Sequence, residues 1–177
     1  FFIPSNVEQI DDECLYKNSH LKTITVSPLN KHFKYLNDEH QIIIGKSDTT
    51  KDIFDTIIFA NRDINHVTIP KWIKYIKPHA FDYCKNIRSF EHFEYESQLV
   101  YFDKSIFCES TIENLFIPSS VEELEDGWCT HTNLKKVLIS PQNKNFKFLD
   151  DKHQIIIGKS DSQKDIFDTI LFANKDI

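Results

Sequence analysis

Glycine and proline are scarce in this chain, which has 3 and 6 of them among 177 residues. Disordered and linker-rich proteins are rich in both, and three glycines are too few to build a phosphate-cradling loop. Long apolar runs are absent as well, since none approaches the roughly 18 residues that a membrane-spanning helix requires. These absences predict one folded domain over residues 1–177, without direct insertion into a membrane.

Cysteine is also sparse, and the cysteines form neither a C-x-x-C pair nor any common zinc spacing. We expect four reduced and largely buried thiols: Cys14, Cys84, Cys108 and Cys129. None of the asparagines begins an N-x-Ser/Thr glycosylation acceptor. Both absences favour a reducing, cytoplasmic compartment.

An excess of basic charge is missing too. The formal net charge is −6, and acidic and basic residues are interspersed along the chain. A nucleic-acid-binding domain would carry a basic patch, so we expect no nucleic-acid partner. No motif in the sequence indicates a bound cofactor or metal.

What the sequence does contain is a large internal duplication. Phe2–Glu8 returns as Phe116–Glu122, and Leu21–Ile64 aligns without a gap with Leu134–Ile177, where 31 of the 44 pairs are identical. Such self-similarity is typical of repeat proteins. The chain thus divides into two duplicated blocks and a set of linking repeats: 1–64, 116–177 and 65–115.

A shorter period of about 24 residues runs inside this duplication. Pro70 and Pro118 are 48 residues apart, and Phe93 lies midway between Ile69 and Ile117. The clearest unit has its apolar residues at Ile69, Ile73, Ile76, Ala80, Phe81, Cys84, Ile87 and Phe90. The 15 phenylalanines of the chain are suited to filling the interior of a stack of such units.

Each unit predicts a strand, a turn and one exposed apolar face. Apolar side chains at two-residue steps, such as Leu115 and Ile117, are typical of a short strand with one buried side. The proline that follows ends the pairing, because it has no N–H to donate. The segment Ala80-Phe81-x-x-Cys84 favours a single helical or 3-10 turn that places an aromatic ring inward. Because only a neighbouring unit can cover each apolar face, we predict a β-rich α/β solenoid of stacked parallel strands.

Each duplicated block also contains an inserted β-hairpin. In the first block, the β-rich runs Phe33–Leu36 and Gln41–Gly45 are separated by a short polar link that contains Asn and Asp, which is typical of a hairpin. We expect Thr56–Ala60 to form a further strand that rejoins the stack.

These units resemble the BspA-type leucine-rich repeat, which is found in bacterial surface proteins and in parasitic protists. The run Ile69-Pro70-x-x-Ile73-x-x-Ile76-x-x-x-Ala80-Phe81-x-x-Cys84 follows that family's pattern, whereas Trp128-Cys129 departs from its Ala-Phe pair. The segments Asn30-x-x-Phe33 and Asn143-x-x-Phe146 resemble an element found among such repeats. The resemblance implies a leucine-rich-repeat solenoid that acts as a cell-surface or secreted antigen or adhesin and binds host or matrix proteins.

The residues that invite a catalytic reading have simpler structural explanations. Asp52 and Asp55, which recur in the second block, lie three apart around one phenylalanine, as on a solvated face with one buried ring. His40 and His153 occupy equivalent places in the two blocks, so we expect partly exposed turn residues. A hydrolase using Asp or His residues stays as an alternative, which carboxylates converging in a pocket would favour.

The remaining candidate is the outer side of the strands, which should form a ladder across one face. Its residues alternate with the apolar set: Thr25, Thr68, Glu91, Asn114, Phe116, Lys136 and Leu138. Phe116 and Leu138 are apolar where a solvated sheet would be polar, and exposed aromatic residues are common interface anchors. Either these two residues meet a protein partner, or the neighbouring hairpin covers them.

We therefore predict a non-enzymatic, protein-binding repeat module, with an intracellular leucine-rich-repeat scaffold as the alternative. The last residue, Ile177, corresponds to Ile64, which continues into further repeats. No polar capping unit is visible at either end, so we expect a segment of a longer array.

Overall fold

The computed structural model describes residues 1–14, 18, 20–161 and 163–173. Leu15 of the first unit and residues 174–177, which include Ile177, lie outside this description. Over the described residues the chain forms a solenoid of about six turns with mostly parallel strands. In chain order the strands are β1 (Phe2–Ile3), β2 (Thr25–Val26), β3 (Phe33–Tyr35), β4 (Ile42–Gly45), β5 (Thr56–Ala60), β6 (Tyr75–Ile76), β7 (Ser89–Phe90), β8 (Tyr101–Phe102), β9 (Asn114–Ile117), β10 (Glu123–Leu124), β11 (Lys136–Ile139), β12 (Phe146–Phe148), β13 (Ile155–Gly158) and β14 (Thr169–Ala173).

The first row of parallel strands is the one that the 24-residue period predicts. Strand β1 pairs with β2, and β9 pairs in parallel with both β7 and β11. Ile69 and Phe93 form a parallel bridge in the same manner. Strands β1 and β9 both end at the residue before a proline, at Ile3 and Ile117. We call the three-stranded part of this row, β7–β9–β11, the first sheet.

A second row of parallel strands lies in the middle of each unit. Strand β5 pairs with β6, and β8 pairs with β10. The amide of Val100 donates to the carbonyl of Lys74 at 3.0 Å, which joins the β8 segment to the β6 segment. We call β6, β8 and β10 the second row.

The turns between the two rows are also hydrogen-bonded from one rung to the next. The amide of Phe81 donates to the carbonyl of Ile106 at 3.0 Å, and that of Ser105 donates to Gly127 at 3.1 Å. Two residues in each of three successive turns have a positive φ: His79 and Tyr83, Ser105 and Glu109, Gly127 and His131. This left-handed geometry lets each turn offer backbone groups to its neighbour, and only one of the six positions is glycine.

Helix is almost absent, so the predicted β-rich solenoid consists almost entirely of strands and turns. The Ala80–Cys84 segment is a series of tight turns in which the amide of Cys84 donates to the carbonyl of Phe81 at 3.3 Å. A helix cannot continue there, because His79 and Tyr83 are left-handed. One 3-10 helix, Asp12–Cys14, is assigned among the described residues, and no helix there is long and apolar enough to span a membrane.

Both inserted hairpins are present, and each is part of a larger antiparallel unit. Strand β3 pairs with β4, and β4 pairs with β5, which then joins the stack through β6. In the second block, β12, β13 and β14 form the same three-stranded sheet. The duplication extends to an irregularity of register, at Ile43/Ile44 in one block and at Ile156/Ile157 in the other.

One asparagine fastens each hairpin to the rung before it. The side-chain amide of Asn30 donates to the carbonyls of Pro4 at 2.7 Å and Val7 at 3.0 Å. Its side-chain oxygen accepts from the amides of His32 at 2.7 Å and Phe33 at 2.8 Å. The second block repeats this bracket at Asn143, with four partners: Pro118, Val121, Asn145 and Phe146.

Phenylalanine rings fill the interior between the rungs, as the composition predicts. The rings of Phe81 and Phe90 meet edge to face at 5.1 Å, and Phe107 lies 4.8 Å from Phe90. Phe102 stacks on Trp128 at 6.0 Å. Trp128 occupies the place that Ala80-Phe81 has in the clearest unit, and its ring serves the same purpose, because it is buried.

Candidate functional site

Four of the predicted binding residues form a compact patch on the first sheet. Asn114 lies opposite Lys136, and Phe116 lies opposite Leu138, on the paired strands β9 and β11. Burial alternates along both strands, so these four side chains lie on the outer side. Leu138 is 36 % exposed, so the inserted hairpin does not cover it.

Glu91 and Phe93 extend this patch towards the preceding rung. The hydroxyl of Ser89 donates to the carboxylate of Glu91 at 2.8 Å, so both lie on the outer side. The ring of Phe93 is 6.1 Å from that of Phe116 and also packs against the core. Phe116 is therefore half-buried by an aromatic neighbour.

Thr25 and Thr68 belong to other parts of the first row. Thr25 is exposed on β2, which pairs with β1 in a separate two-stranded sheet. Thr68 is exposed beside the Ile69 bridge, and its hydroxyl lies 3.3 Å from the imidazole of His66. The structure therefore gathers five of the seven predicted residues around the first sheet and leaves these two apart.

A row of charges runs along one edge of the first sheet. The carboxylate of Glu113 lies 2.8 Å from the guanidinium of Arg88 and 3.2 Å from the ammonium of Lys135. These residues directly precede the strands β7, β9 and β11. They give the patch a charged margin beside its apolar centre.

The paired aspartates of each block do not form a common site. Asp52 makes an ion pair with Lys46 at 2.9 Å. The hydrogen bond from that lysine lowers the pKa of the Asp52 carboxyl group. Asp55 is buried and accepts hydrogen bonds from the amide and the hydroxyl of Ser47 at 3.0 and 2.9 Å. Asp168 holds Ser160 in the same way. These carboxylates hold a loop closed. They do not face each other across a space for a substrate.

The histidines of the two hairpins have equivalent structural roles. His40 and His153 are exposed, have φ near +56° and +57°, and lie in the turn between the first two hairpin strands. Their rings pack against the aromatic residue of the preceding strand, with ring centroids 4.2 Å from Tyr35 and 4.3 Å from Phe148. The prediction of turn histidines in equivalent places is confirmed.

A buried polar cluster lies where the sequence showed no motif. The imidazole of His79 is 2.8 Å from the carboxylate of Asp82. The guanidinium of Arg62 donates to the carbonyl of Ala80 at 3.1 Å. Burial raises the pKa of Asp82 to about 6, although the nearby His79 and Arg62 oppose the change. Burial also raises the pKa of Cys84 to about 11, so its thiol is not activated as a nucleophile.

The cysteines are more accessible than the sequence suggested. Cys84 is buried, Cys14 is exposed, and Cys108 and Cys129 are half-buried; none is in a disulfide. The prediction of largely buried thiols is therefore wrong for Cys14. No group of three or more potential metal ligands comes together in the part of the chain that the structure describes.

The sequence profile named "BspA type Leucine rich repeat region" matches this chain in six copies, over residues 1–39 and 51–149. No curated protein matches the chain.

Two solved structures are similar to this chain. The pneumococcal vaccine antigen PcpA superposes with a TM-score of 0.53 and 20% sequence identity over 89% of this chain and 34% of its own. A leucine rich cell surface protein from Faecalibacterium prausnitzii A2-165 gives a TM-score of 0.47 and 18% identity over 79% of this chain and 47% of its own. This chain thus spans about a third of the first protein and half of the second. At 20% identity the likeness to PcpA concerns the fold alone.

Proposed function

Because this chain belongs to the BspA-type leucine-rich-repeat family, we propose that it is a non-enzymatic repeat module that binds a protein partner on the first sheet. The observation that carries this proposal is the adjacent pair Phe116 and Leu138, which lie side by side on the outer face of β9 and β11. Apolar anchors at the centre of a patch supply most of the energy of many protein interfaces.

The surroundings of this pair support a protein ligand. Asn114, Lys136 and Glu91 border the apolar centre with hydrogen-bonding groups, which resembles the polar rim of a protein interface. The patch lies on strands that are paired with their neighbours, so it loses little conformational entropy when a partner binds. The predicted residues Thr25 and Thr68 lie outside this patch and would meet only a partner that extends along the first row.

We further propose that the module is displayed on a cell surface, as an antigen or adhesin. The support for this is that PcpA is described as a vaccine antigen and the second neighbour as a cell surface protein. The second candidate is an intracellular scaffold, which is favoured by four cysteines that form no disulfide. Labelling intact source cells with a membrane-impermeant biotin reagent separates the two: labelling of the parent protein supports the surface module, and protection supports the scaffold.

The binding face is tested with a variant that removes its apolar centre. Phe116→Ser with Leu138→Ser should weaken the affinity for a captured and purified partner by about tenfold or more, which corresponds to about 1.4 kcal/mol or more. The matched control is Leu29→Ser with Tyr95→Ser, which also removes two apolar side chains, but ones that are highly exposed and outside the first sheet.

The affinities are measured by isothermal titration calorimetry, after thermal melting has shown that both variants are folded. The single variant Leu138→Ser keeps the test valid if the double variant is unstable, because Leu138 is a surface residue. Equal affinities for the sheet variant, the control and the unchanged chain would place the partner elsewhere and reject this face.

A further inference from the structure

A groove of about 850 Å³ lies between the second row, the beginning of the chain and the loop that follows β4. It is separate from the patch on the first sheet, because it lies beside the other row of strands. The loop side includes Lys46 and Lys51, and the strand side includes Tyr75 and Tyr101. The inserted hairpin creates this groove, since its loop stands beside the start of the chain.

Two tyrosines form an aromatic wall on the strand side of the groove. Tyr75 on β6 and Tyr101 on β8 lie on neighbouring rungs, with ring centroids 5.6 Å apart and planes tilted by 55°. Both are half-buried, and neither phenol makes a hydrogen bond within the described residues. Burial raises the pKa of the Tyr101 phenol, and the nearby carboxylate of Asp103 adds to the rise. The pair therefore offers ring surface and phenol hydroxyls to a ligand.

The lysines that line the groove already have carboxylate partners. Lys46 pairs with Asp52 at 2.9 Å, and Lys51 pairs with Asp48 at 3.0 Å. Lys77, on the rung that carries Tyr75, pairs with Asp12 at 2.9 Å. Their charges are thus largely compensated before any ligand arrives.

Two carboxylates of the groove, the exposed Glu8 and the half-buried Asp103, lack such a partner among the residues that the structure describes. Asp103 follows Tyr101 by two residues on the same side of its strand and accepts one hydrogen bond, from the amide of Lys104 at 2.8 Å. It makes no ion pair among the residues that the structure describes. Burial raises its pKa, with Asp12 adding to the rise, and the nearby Lys104 and Lys77 oppose it only in part. On the adjacent strand, Glu123 lies opposite Tyr101 and is exposed.

From this arrangement we infer that the groove binds an arginine or lysine side chain of a peptide segment, with its cation against Tyr75 and Tyr101 and its charge paired with Asp103. Aromatic faces attract such cations, and the attraction grows when solvent is partly excluded. A cation would also compensate the half-buried carboxylate, which a neutral or anionic ligand cannot do. This site goes beyond the proposed function, because it uses different residues on a different row of strands.

The test uses N-acetyl-arginine amide as the probe, titrated into the ¹⁵N-labelled chain and followed by NMR. Saturable shifts of the Tyr75 and Tyr101 amides are expected. N-acetyl-citrulline amide, which has nearly the same shape but no charge, should bind about tenfold more weakly. N-acetyl-lysine amide tests the second cation of the proposal and should shift the same signals.

Asp103→Asn should weaken the binding of N-acetyl-arginine amide by about tenfold. Asp151→Asn, which neutralises an exposed acid in the turn of the second hairpin, is the matched control and should bind like the unchanged chain. Tyr101→Leu tests the contribution of the aromatic ring to binding. Circular dichroism shows whether each variant is folded. The Phe116→Ser and Leu138→Ser variant should keep the full affinity for the probe, so the two binding faces succeed or fail independently.

Three results would overturn the inference: no saturable shift in the groove, equal binding of the arginine and citrulline probes, or equal loss with Asp103→Asn and Asp151→Asn. The last result would mean that the probe responds only to the net negative charge of the chain.

Discussion

Phenylalanine rings at the centre of the stack contact the rings of neighbouring rungs, so single residues hold several repeats together. Phe81 has no exposed surface, and its ring touches both Phe90 and Phe107. Buried rings of this kind contribute through the area they remove from water and through edge-to-face contacts. Stability should therefore be concentrated at these positions.

Phe81→Ala should lower the free energy of unfolding by about 3–5 kcal/mol, because it leaves a cavity between rungs. Urea denaturation followed by circular dichroism measures the change. Tyr95→Ala is the control, since Tyr95 is 87% exposed, and it should change stability by less than about 0.5 kcal/mol. A near-neutral effect of Phe81→Ala would contradict the packing of this ring.

The carboxyl group of Asp82 should make stability depend on pH in a direction unusual for an acid. Its pKa is raised from 3.8 to about 6 in the folded chain, so the folded state favours the protonated form. The resulting stabilisation, at most about 3 kcal/mol, is fully present below pH 3.8 and is lost as the pH rises towards and through 6.

Asp82→Asn removes this titration, so the unchanged chain should lose stability relative to the variant between about pH 4 and 6. Urea denaturation of both chains across this range measures the difference and cancels contributions from other acids. If the unchanged chain instead gains stability relative to the variant, then pairing with His79 and Arg62 outweighs burial.

At the scale of the element, each inserted hairpin is tied to the rung before it. One asparagine fastens its first strand to that rung, and in the first block the last strand, β5, also pairs with β6 of the next rung. A buried or bonded aspartate closes the loop between the second and third strands. The repeated asparagine and aspartate of the two blocks are thus structural.

Asn143→Ala should lower the free energy of unfolding by about 2–4 kcal/mol, because it removes four hydrogen bonds. Asn143→Asp keeps the two acceptor bonds and loses the two donor bonds, so its effect should be intermediate. Asn65→Ala, at an exposed asparagine, serves as the control in the same denaturation experiment. Equal stability of the alanine variants would show that the bracket does not hold the hairpin.

The sequence predicted those strands whose apolar residues recur periodically or form a continuous run. The strands around Ile69 and Ile117 recur every 24 residues, and the hairpin strand at Ile42 is a continuous apolar run, so both could be predicted. The second row could not, because the sequence around strands such as Tyr75–Ile76 shows no alternation of apolar and polar residues. Their pairing depends on backbone hydrogen bonds that any side chain permits.

At the scale of the whole molecule, nearly identical sequences have different environments according to their place in the stack. Strand β5 is buried throughout because β6 and the following rung cover it, whereas its duplicate β14 is partly exposed. Ile57 has no exposed surface, and its counterpart Ile170 is 67% exposed. In a solenoid, stability comes from the interfaces between neighbouring repeats.

Ile57→Ala should therefore lower the free energy of unfolding by about 2–5 kcal/mol, and Ile170→Ala by less than about 1 kcal/mol. The two variants change the same residue type in nearly the same local sequence, so each is the control for the other. Urea denaturation of this 177-residue chain measures both. Similar losses would mean that β14 is covered as well as β5.

Binding surfaces also arise at this scale, and they differ in how far the sequence can predict them. Phe116 and Leu138 lie at equivalent places of neighbouring units, so periodicity alone suggests that they meet. The groove combines Asp12, Lys46 and Tyr101, which are far apart in the chain and follow no common period. Only the way the hairpin stands beside the first rung brings them together.

The asparagine bracket and the closed loop give every duplicated block its own complete set of fastenings. A gene could therefore gain or lose a block by unequal recombination without new compensating substitutions elsewhere. Each such event would lengthen or shorten the protein by a fixed step and would shift any surface that follows it by the same step. This architecture therefore makes a change in the length of the protein easier to evolve than a change in the chemistry of its surface.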